Sequence, residues 1–227
     1  MQGNFTIRRN WPRLASTICL LLMFLTFTNT SLAKAETCPA NDQLRPLLNS
    51  ERIQNCFGSY GVEIIEQEGN LRISSLFSLD GDQRITRTLA ISEFADKLPP
   101  DLLPVYQFIR EGASMGSTLE AAGWRVEKHH RYLGETPITS GFSCMTGLVE
   151  LHAESGLMLA VQVYDLWVLK ETQEVRFALL AELHDPRYLT LFDLRNIYPA
   201  VASQFSQPDA ASERLLDRAK QVCVSHD

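Results

Sequence analysis

A chain of 227 residues, 45% hydrophobic and 21% charged, with a formal net charge of -6, is neither a disordered tail nor a collagen-like repeat nor a multi-pass membrane protein. Its length suits one domain. The first 35 residues hold Arg8, Arg9, Arg13 and Lys34 and no acid, so removing those four leaves 17 basic against 27 acidic residues, a net charge of -10 for residues 36–227. An acidic body of this kind is repelled by nucleic acid and by anionic membrane surfaces, so neither is an expected partner.

In chain order, residues 1–13 form a basic lead and residues 14–27 an apolar run. Ser31-Leu32-Ala33-Lys34-Ala35 then places small residues where a signal peptidase reads them. This is the plan of a cleaved secretory signal ending at Ala35, which leaves a mature form with no membrane span in the periplasm or outside the cell. Cys19 departs with the signal, and Cys38, Cys56, Cys144 and Cys223 remain. An even count in an oxidising compartment reads as two disulfides. Of the three possible pairings, Cys38–Cys56 as a local clip and Cys144–Cys223 as a tie on the C-terminal helix are favoured.

Residues 36–59 read as a helical lead-in to a single α+β domain over 60–227. Residues 61–67, 71–79 and 83–94 are expected strands, separated by Glu68-Gly69-Asn70 and Asp80-Gly81-Asp82. Lys97-Leu98-Pro99-Pro100-Asp101 precedes a helix over about 102–111, and a shorter helix follows Gly116. Strands are expected at 124–133, 157–169 and 175–184, a small capping box at Thr190 to Asp193, and a final amphipathic helix over 209–222. Hairpins with one helical excursion predict helices packed on an antiparallel sheet.

Two charges fall on apolar strand faces. Pairing Phe77 with Ile85, Ile73 with Leu89 and Leu71 with Ile91 makes one apolar face and sets Arg87 on it, opposite the small Ser75. A bare buried arginine is too costly, so Arg87 needs a protein carboxylate or a ligand's anion. A four-residue loop at 171–174 would set Val163 opposite Glu182, placing Glu182 on an apolar surface where desolvation raises its pKa. Together the pair reads as a ligand clamp, an acid/base pair or a structural ion pair. His129 and His130 point to opposite faces of one strand, and His152 and His184 lack ligand-type spacing, so no metal site is expected. Gly112-Ala113-Ser114-Met115-Gly116 could present backbone N–H groups to an anion.

Three stretches resemble chorismate lyase and its relatives over roughly residues 60–190. They are Ile85-Thr86-Arg87-Thr88, Ser114-Met115-Gly116-Ser117-Thr118-Leu119 and Ala181-Glu182-Leu183-His184-Asp185-Pro186. The resemblance implies a six-stranded antiparallel sheet with helices on one side and a buried cavity, with no cofactor. It also implies that Arg87 holds the carboxylate of an aromatic ligand and that Glu182 contacts its ring hydroxyl. Ser75, Met115 and Gly116 would border that ligand. Binding of a small aromatic carboxylate is the leading expectation. A cofactor-free lyase with Glu182 as acid/base and a non-catalytic interaction module of the cell envelope are the alternatives.

Overall fold

The computed structural model describes residues 38, 41–45, 47–138, 142, 157–201, 205 and 207–222. The expected signal segment, Cys144, His152 and Cys223 lie outside the described residues. A helical turn, Asn41–Leu44, precedes α1 (Asn49–Phe57). Three strands follow, β1 (Gly61–Glu68), β2 (Leu71–Asp80) and β3 (Gln83–Phe94). The helical excursion is α2 (Leu103–Arg110) and α3 (Met115–Ala121). Then come β4 (Arg125–Pro137), β5 (Met158–Lys170) and β6 (Gln173–His184). The chain closes with α4 (Leu191–Ile197) and α5 (Ala210–Ala219). Thr190 caps α4 reciprocally with Asp193, and Asp209 caps α5 by accepting the Ser212 N–H. This is an α+β protein.

All six strands form one antiparallel sheet in the order β1-β2-β3-β6-β5-β4. Two three-stranded meanders thus meet through the β3–β6 ladder. Two-residue turns close the hairpins at Glu68↔Leu71, Asp80↔Gln83 and Lys170↔Gln173. Gly69, Gly81 and Glu171 take the left-handed conformation that such turns demand.

These tight turns, together with bulges, correct the expected registers. Ile73 pairs with Ile91, Ser75 with Leu89 and Phe77 with Thr86, and the ladder slips between Leu76 and Phe77 so that Arg87 is the extra residue. Ser75 therefore faces Leu89 rather than Arg87. In the last hairpin the slip falls between Leu166 and Trp167 and leaves Phe177 as the extra residue. Gln162, not Val163, stands opposite Glu182. A bulge reverses the alternation beyond it, which is why strict period-two counting misplaced Arg87.

The two faces of the sheet are packed differently. Ile73, Leu89, Ile91, Val161, Val163, Leu179, Ala181 and Leu183 share a core with Leu215, Leu216 and Ala219 of α5. The opposite face packs against α1 to α4, through Ile53, Ile109, Leu119, Leu194 and Ile197. The one-sided helix layer thus holds for α1 to α4, while α5 crosses the other face. Cys38 and Cys56 form the expected disulfide, which closes the chain segment containing α1. Among the described residues no helix is long and apolar enough to cross a membrane.

Candidate functional site

On the face covered by α1 to α4, the sheet presents three rows of side chains across its centre. One row runs Arg72–Ser92–Leu180–Tyr164–His130, the next Ser74–Ala90–Glu182–Gln162 and the third Leu76–Thr88–His184–Ala160. Ser74, Ala90 and Ser92 are too small to fill the space beneath the helices. A cavity of about 70 Å³, counted as room for the centres of water-sized occupants, opens there. One water needs roughly 10–15 Å³ by that measure, so the void takes a small molecule or several waters. Its roof is the Leu48-Asn49-Ser50 turn entering α1 and the Ser114-Met115-Gly116 turn entering α3. These turns abut closely, since a Cβ at Gly116 would lie 3.0 Å from both Leu48 Cδ atoms. The walls are mostly apolar, with Leu76, Leu166 and Leu180 beside the aromatic Tyr60 and Tyr164.

Glu182 is buried at 4% exposure in the cavity floor. Its Oε2 accepts from Gln162 Nε2 at 2.6 Å and lies 3.6 Å from Lys128 Nζ, while its Oε1 accepts from Asn49 Nδ2 at 3.3 Å. Lys128 also stands 4.3 Å from the centre of the Tyr164 ring, a cation–π contact. Burial alone would raise the Glu182 carboxyl. Lys128 first, then the neighbouring His184 and Arg52 and the Asn49 hydrogen bond, outweigh it and hold the group below the ordinary glutamate value. Glu182 is thus an ionised acceptor, and the expectation of a raised pKa is corrected by its partners.

Around this carboxylate the polar groups satisfy one another. Gln162 Nε2 also donates to His184 Nε2 at 3.2 Å, and His184 Nδ1 meets Thr88 Oγ1 at 2.9 Å. Asn49 donates to Thr88 as well and accepts from the Tyr188 hydroxyl at 2.7 Å. His130 Nε2 reaches Gln162 Oε1 at 3.3 Å. Each bond fits if both histidines are neutral, with the proton on Nδ1 of His184 and on Nε2 of His130. Burial, with Lys128 and Arg52 nearby, pushes both down to about 4. His129, on the opposite side of the strand, stacks on Trp167 in solvent. Among the described residues no cluster of ligating side chains could hold a metal ion.

The arginine of the cavity is Arg72. It is 3% exposed and lines the void. Its Nε donates to Ser74 Oγ at 2.7 Å and its Nη1 to the carbonyls of Ile109 at 2.6 Å and Ala113 at 3.4 Å. Among the described residues no carboxylate pairs with it. Arg87 sits elsewhere, just past the end of the β3–β6 ladder. Its Nε donates to Ser78 Oγ at 2.9 Å, its Nη1 lies 3.4 Å from Asp185 Oδ2, and its guanidinium stacks 3.7 Å over the Phe57 ring. Neither Arg87 nor Ser75 lines the cavity, and Ser75 hydrogen-bonds Thr86 at 2.9 Å. Of the residues expected at the site, Glu182, Met115 and Gly116 come together there. Arg72, Lys128, Asn49 and Gln162 were not anticipated, although polar residues two apart on apolar strands (Arg72 and Ser74, Glu182 and His184) carried a signal.

With two cations against one carboxylate, the lining has a net positive charge. Comparison of the sequence with protein-family models and with curated proteins finds no match.

Proposed function

We propose that this chain binds a small anionic molecule, an aromatic carboxylate by the shape and chemistry of the walls, in the cavity between the sheet and the α1 and α3 entry turns. Arg72 takes the carboxylate, and Glu182 accepts a hydrogen bond from a hydroxyl at the other end of the ligand. The observation that carries this reading is Arg72 itself, a buried guanidinium in the cavity wall with carbonyl and hydroxyl partners but no counter-charge. Burying a cation without an anion is costly, and a ligand carboxylate supplies the missing charge in a geometry that guanidinium groups match. Glu182 Oε1 accepts from Asn49 at 3.3 Å, the Tyr164 hydroxyl also bonds the carboxylate, and its four lone-pair sites keep capacity for a ligand donor.

A six-stranded antiparallel sheet is what the chorismate lyase-like resemblance calls for, and in this reading the ligand's carboxylate falls to Arg72 rather than to Arg87. The ionised state of Glu182 suits an acceptor rather than an acid. The Cys38–Cys56 disulfide and the signal-like leader support an exported protein working in an oxidising compartment.

The test is thermal shift with benzoate and 4-hydroxybenzoate on the wild type, Arg72→Met and Arg87→Ala. Stabilisation of the wild type and of Arg87→Ala, absent in Arg72→Met, is the expected outcome. No stabilisation of any form, or its loss only in Arg87→Ala, overturns the reading. Incubation with chorismate, followed for released pyruvate, separates a lyase from a binding protein.

A further inference from the structure

One wall of the cavity belongs to a segment that is covalently closed on itself. The Cys38–Cys56 bond spans 18 residues of sequence, and Leu48, Asn49 and Ser50, all inside that loop, roof the cavity. Asn49 is also the only residue of the loop, among the described residues, whose side chain bonds Glu182 in the floor and Thr88 in the next row of the sheet. Cys56 lies in the last turn of α1 and Asn49 in the first, so the helix transmits the position of its clipped end to the cavity. A helix of nine residues does not hold its own shape in water. Besides the Asn49 bonds to Glu182, Thr88 and Tyr188, it is seated by Ile53 and Cys56 in the core, Phe57 against Arg87 and Tyr188, and Arg52 against Tyr198. Moreover, Arg52 donates to the Leu44 and Arg45 carbonyls within the same loop, so part of that seating depends on the loop keeping its own shape.

We propose that the site is completed by oxidation: the Leu48-Asn49-Ser50 wall stands over the cavity only when Cys38 and Cys56 are joined, and ligand binding is conditional on that bond. Forming it takes two protons and two electrons from the two thiols. A disulfide-bearing oxidant accepts them by exchange through a mixed disulfide and leaves as a dithiol. In the reduced chain the loop regains conformational freedom, α1 leaves its seat, and Asn49 withdraws from Glu182. The binding half of this inference rests on the ligand reading above; the closure half does not.

The experiment compares the full wild-type chain with Cys38→Ser/Cys56→Ser, which leaves Cys144 and Cys223 as they are. Amide hydrogen exchange is read by mass spectrometry, and binding of 4-hydroxybenzoate is measured by calorimetry. Exchange at Arg52 to Gly58 is expected to rise about 100-fold in the double variant while β3 and β6 keep their protection. Affinity for the probe is expected to fall by about tenfold or more, as it does when the competent state is a minority. Unchanged protection at Arg52 to Gly58 overturns the inference. So does equal loss of protection in β3 and β6, which would make the disulfide a support of the whole fold. If the probe binds neither form, the ligand reading fails and the exchange pattern still decides the closure. If it binds both equally, the conditional site fails and the ligand reading stands.

Discussion

Glu182 stands directly across the β3–β6 ladder from Ala90, so the buried carboxylate at the centre of the sheet has a methyl group as its neighbour. On its other side Ala90 pairs with Ser74, and all three residues line the cavity. The void exists because two adjacent positions under the helices are small. Ala90→Val, which suits a strand, puts two more carbons into it. The expected outcome is loss of the ligand-induced thermal shift with a gain in unliganded stability of about 0.5–2 kcal/mol, as for other cavity-filling changes. Chemical denaturation with and without 4-hydroxybenzoate checks both. A variant that still responds to ligand as the wild type does would show that the ligand sits elsewhere.

Lys128 is the nearest cation to Glu182 and, after burial, the largest influence on it. Lys128→Met keeps most of the side-chain length and removes the charge. Burial then dominates, and the Glu182 carboxyl titrates at a higher pH than in the wild type. The change destabilises the protein by about 3 kcal/mol at neutral pH, because it leaves a buried carboxylate without its cation. Carbon-13 NMR of labelled glutamate side chains reads the first effect and urea denaturation the second. A Glu182 titration that does not move upward contradicts the assignment of Lys128 as its counter-charge.

Element positions and strand faces were legible in the sequence because they depend on local periodicity. β3 runs over Gln83–Phe94 as the alternation implied, and Ile73, Leu89 and Ile91 share a buried face. The registers were less legible. A bulge leaves no compositional mark at Arg87 or Phe177, yet each one reverses the facing of every residue beyond it. Strict alternation puts Arg87 inward at mid-sheet, whereas it lies just past the β3–β6 ladder beside Asp185. Arg72 is hard to read for the opposite reason. It alternates with Leu71 and Ile73 and shares its face with Ser74, a pattern that a solvated face also shows. The packing of α2 and the turn after it over that face buries it, and those contacts are distant in sequence.

The two buried histidines set a pH dependence. His130 and His184 are held at about 4 in the fold, against an ordinary value near 6.5 in the unfolded chain. Between those values the unfolded state binds protons that the folded state refuses. The stability they contribute is therefore present above pH 6.5 and lost as pH falls toward 4. Two such groups give a slope of up to about 2.7 kcal/mol per pH unit near pH 5. Glu182, lowered in the fold, adds to the loss at still lower pH. Urea denaturation at pH 7, 6, 5 and 4.5 measures the slope. Equal stability at pH 7 and pH 5 would show that the histidines are not held neutral.

Arg87 couples the end of the β3–β6 ladder to α1 without lining the cavity. Its guanidinium covers the Phe57 ring at 3.7 Å and shares Asp185 with Arg187, whose Nη2 is 2.9 Å from the same carboxylate oxygen. In Arg87→Ala the buried Asp185 keeps Arg187 and the Arg187 backbone N–H, so its charge is not stranded. The cost is the lost stacking, the lost Ser78 bond and part of one ion pair, about 1–3 kcal/mol in all. Affinity for 4-hydroxybenzoate should stay within about twofold of wild type at temperatures where the variant is folded, since the cavity lining is intact and the Cys38–Cys56 bond still holds α1. Arg72→Met should do the reverse at the site and abolish binding, because the ligand's carboxylate then meets no buried guanidinium. Measuring both variants by calorimetry and denaturation divides the two arginines by role, one seating a helix and the other facing the ligand. Loss of affinity in a folded Arg87→Ala, with retention in Arg72→Met, would return the clamp to the strand end.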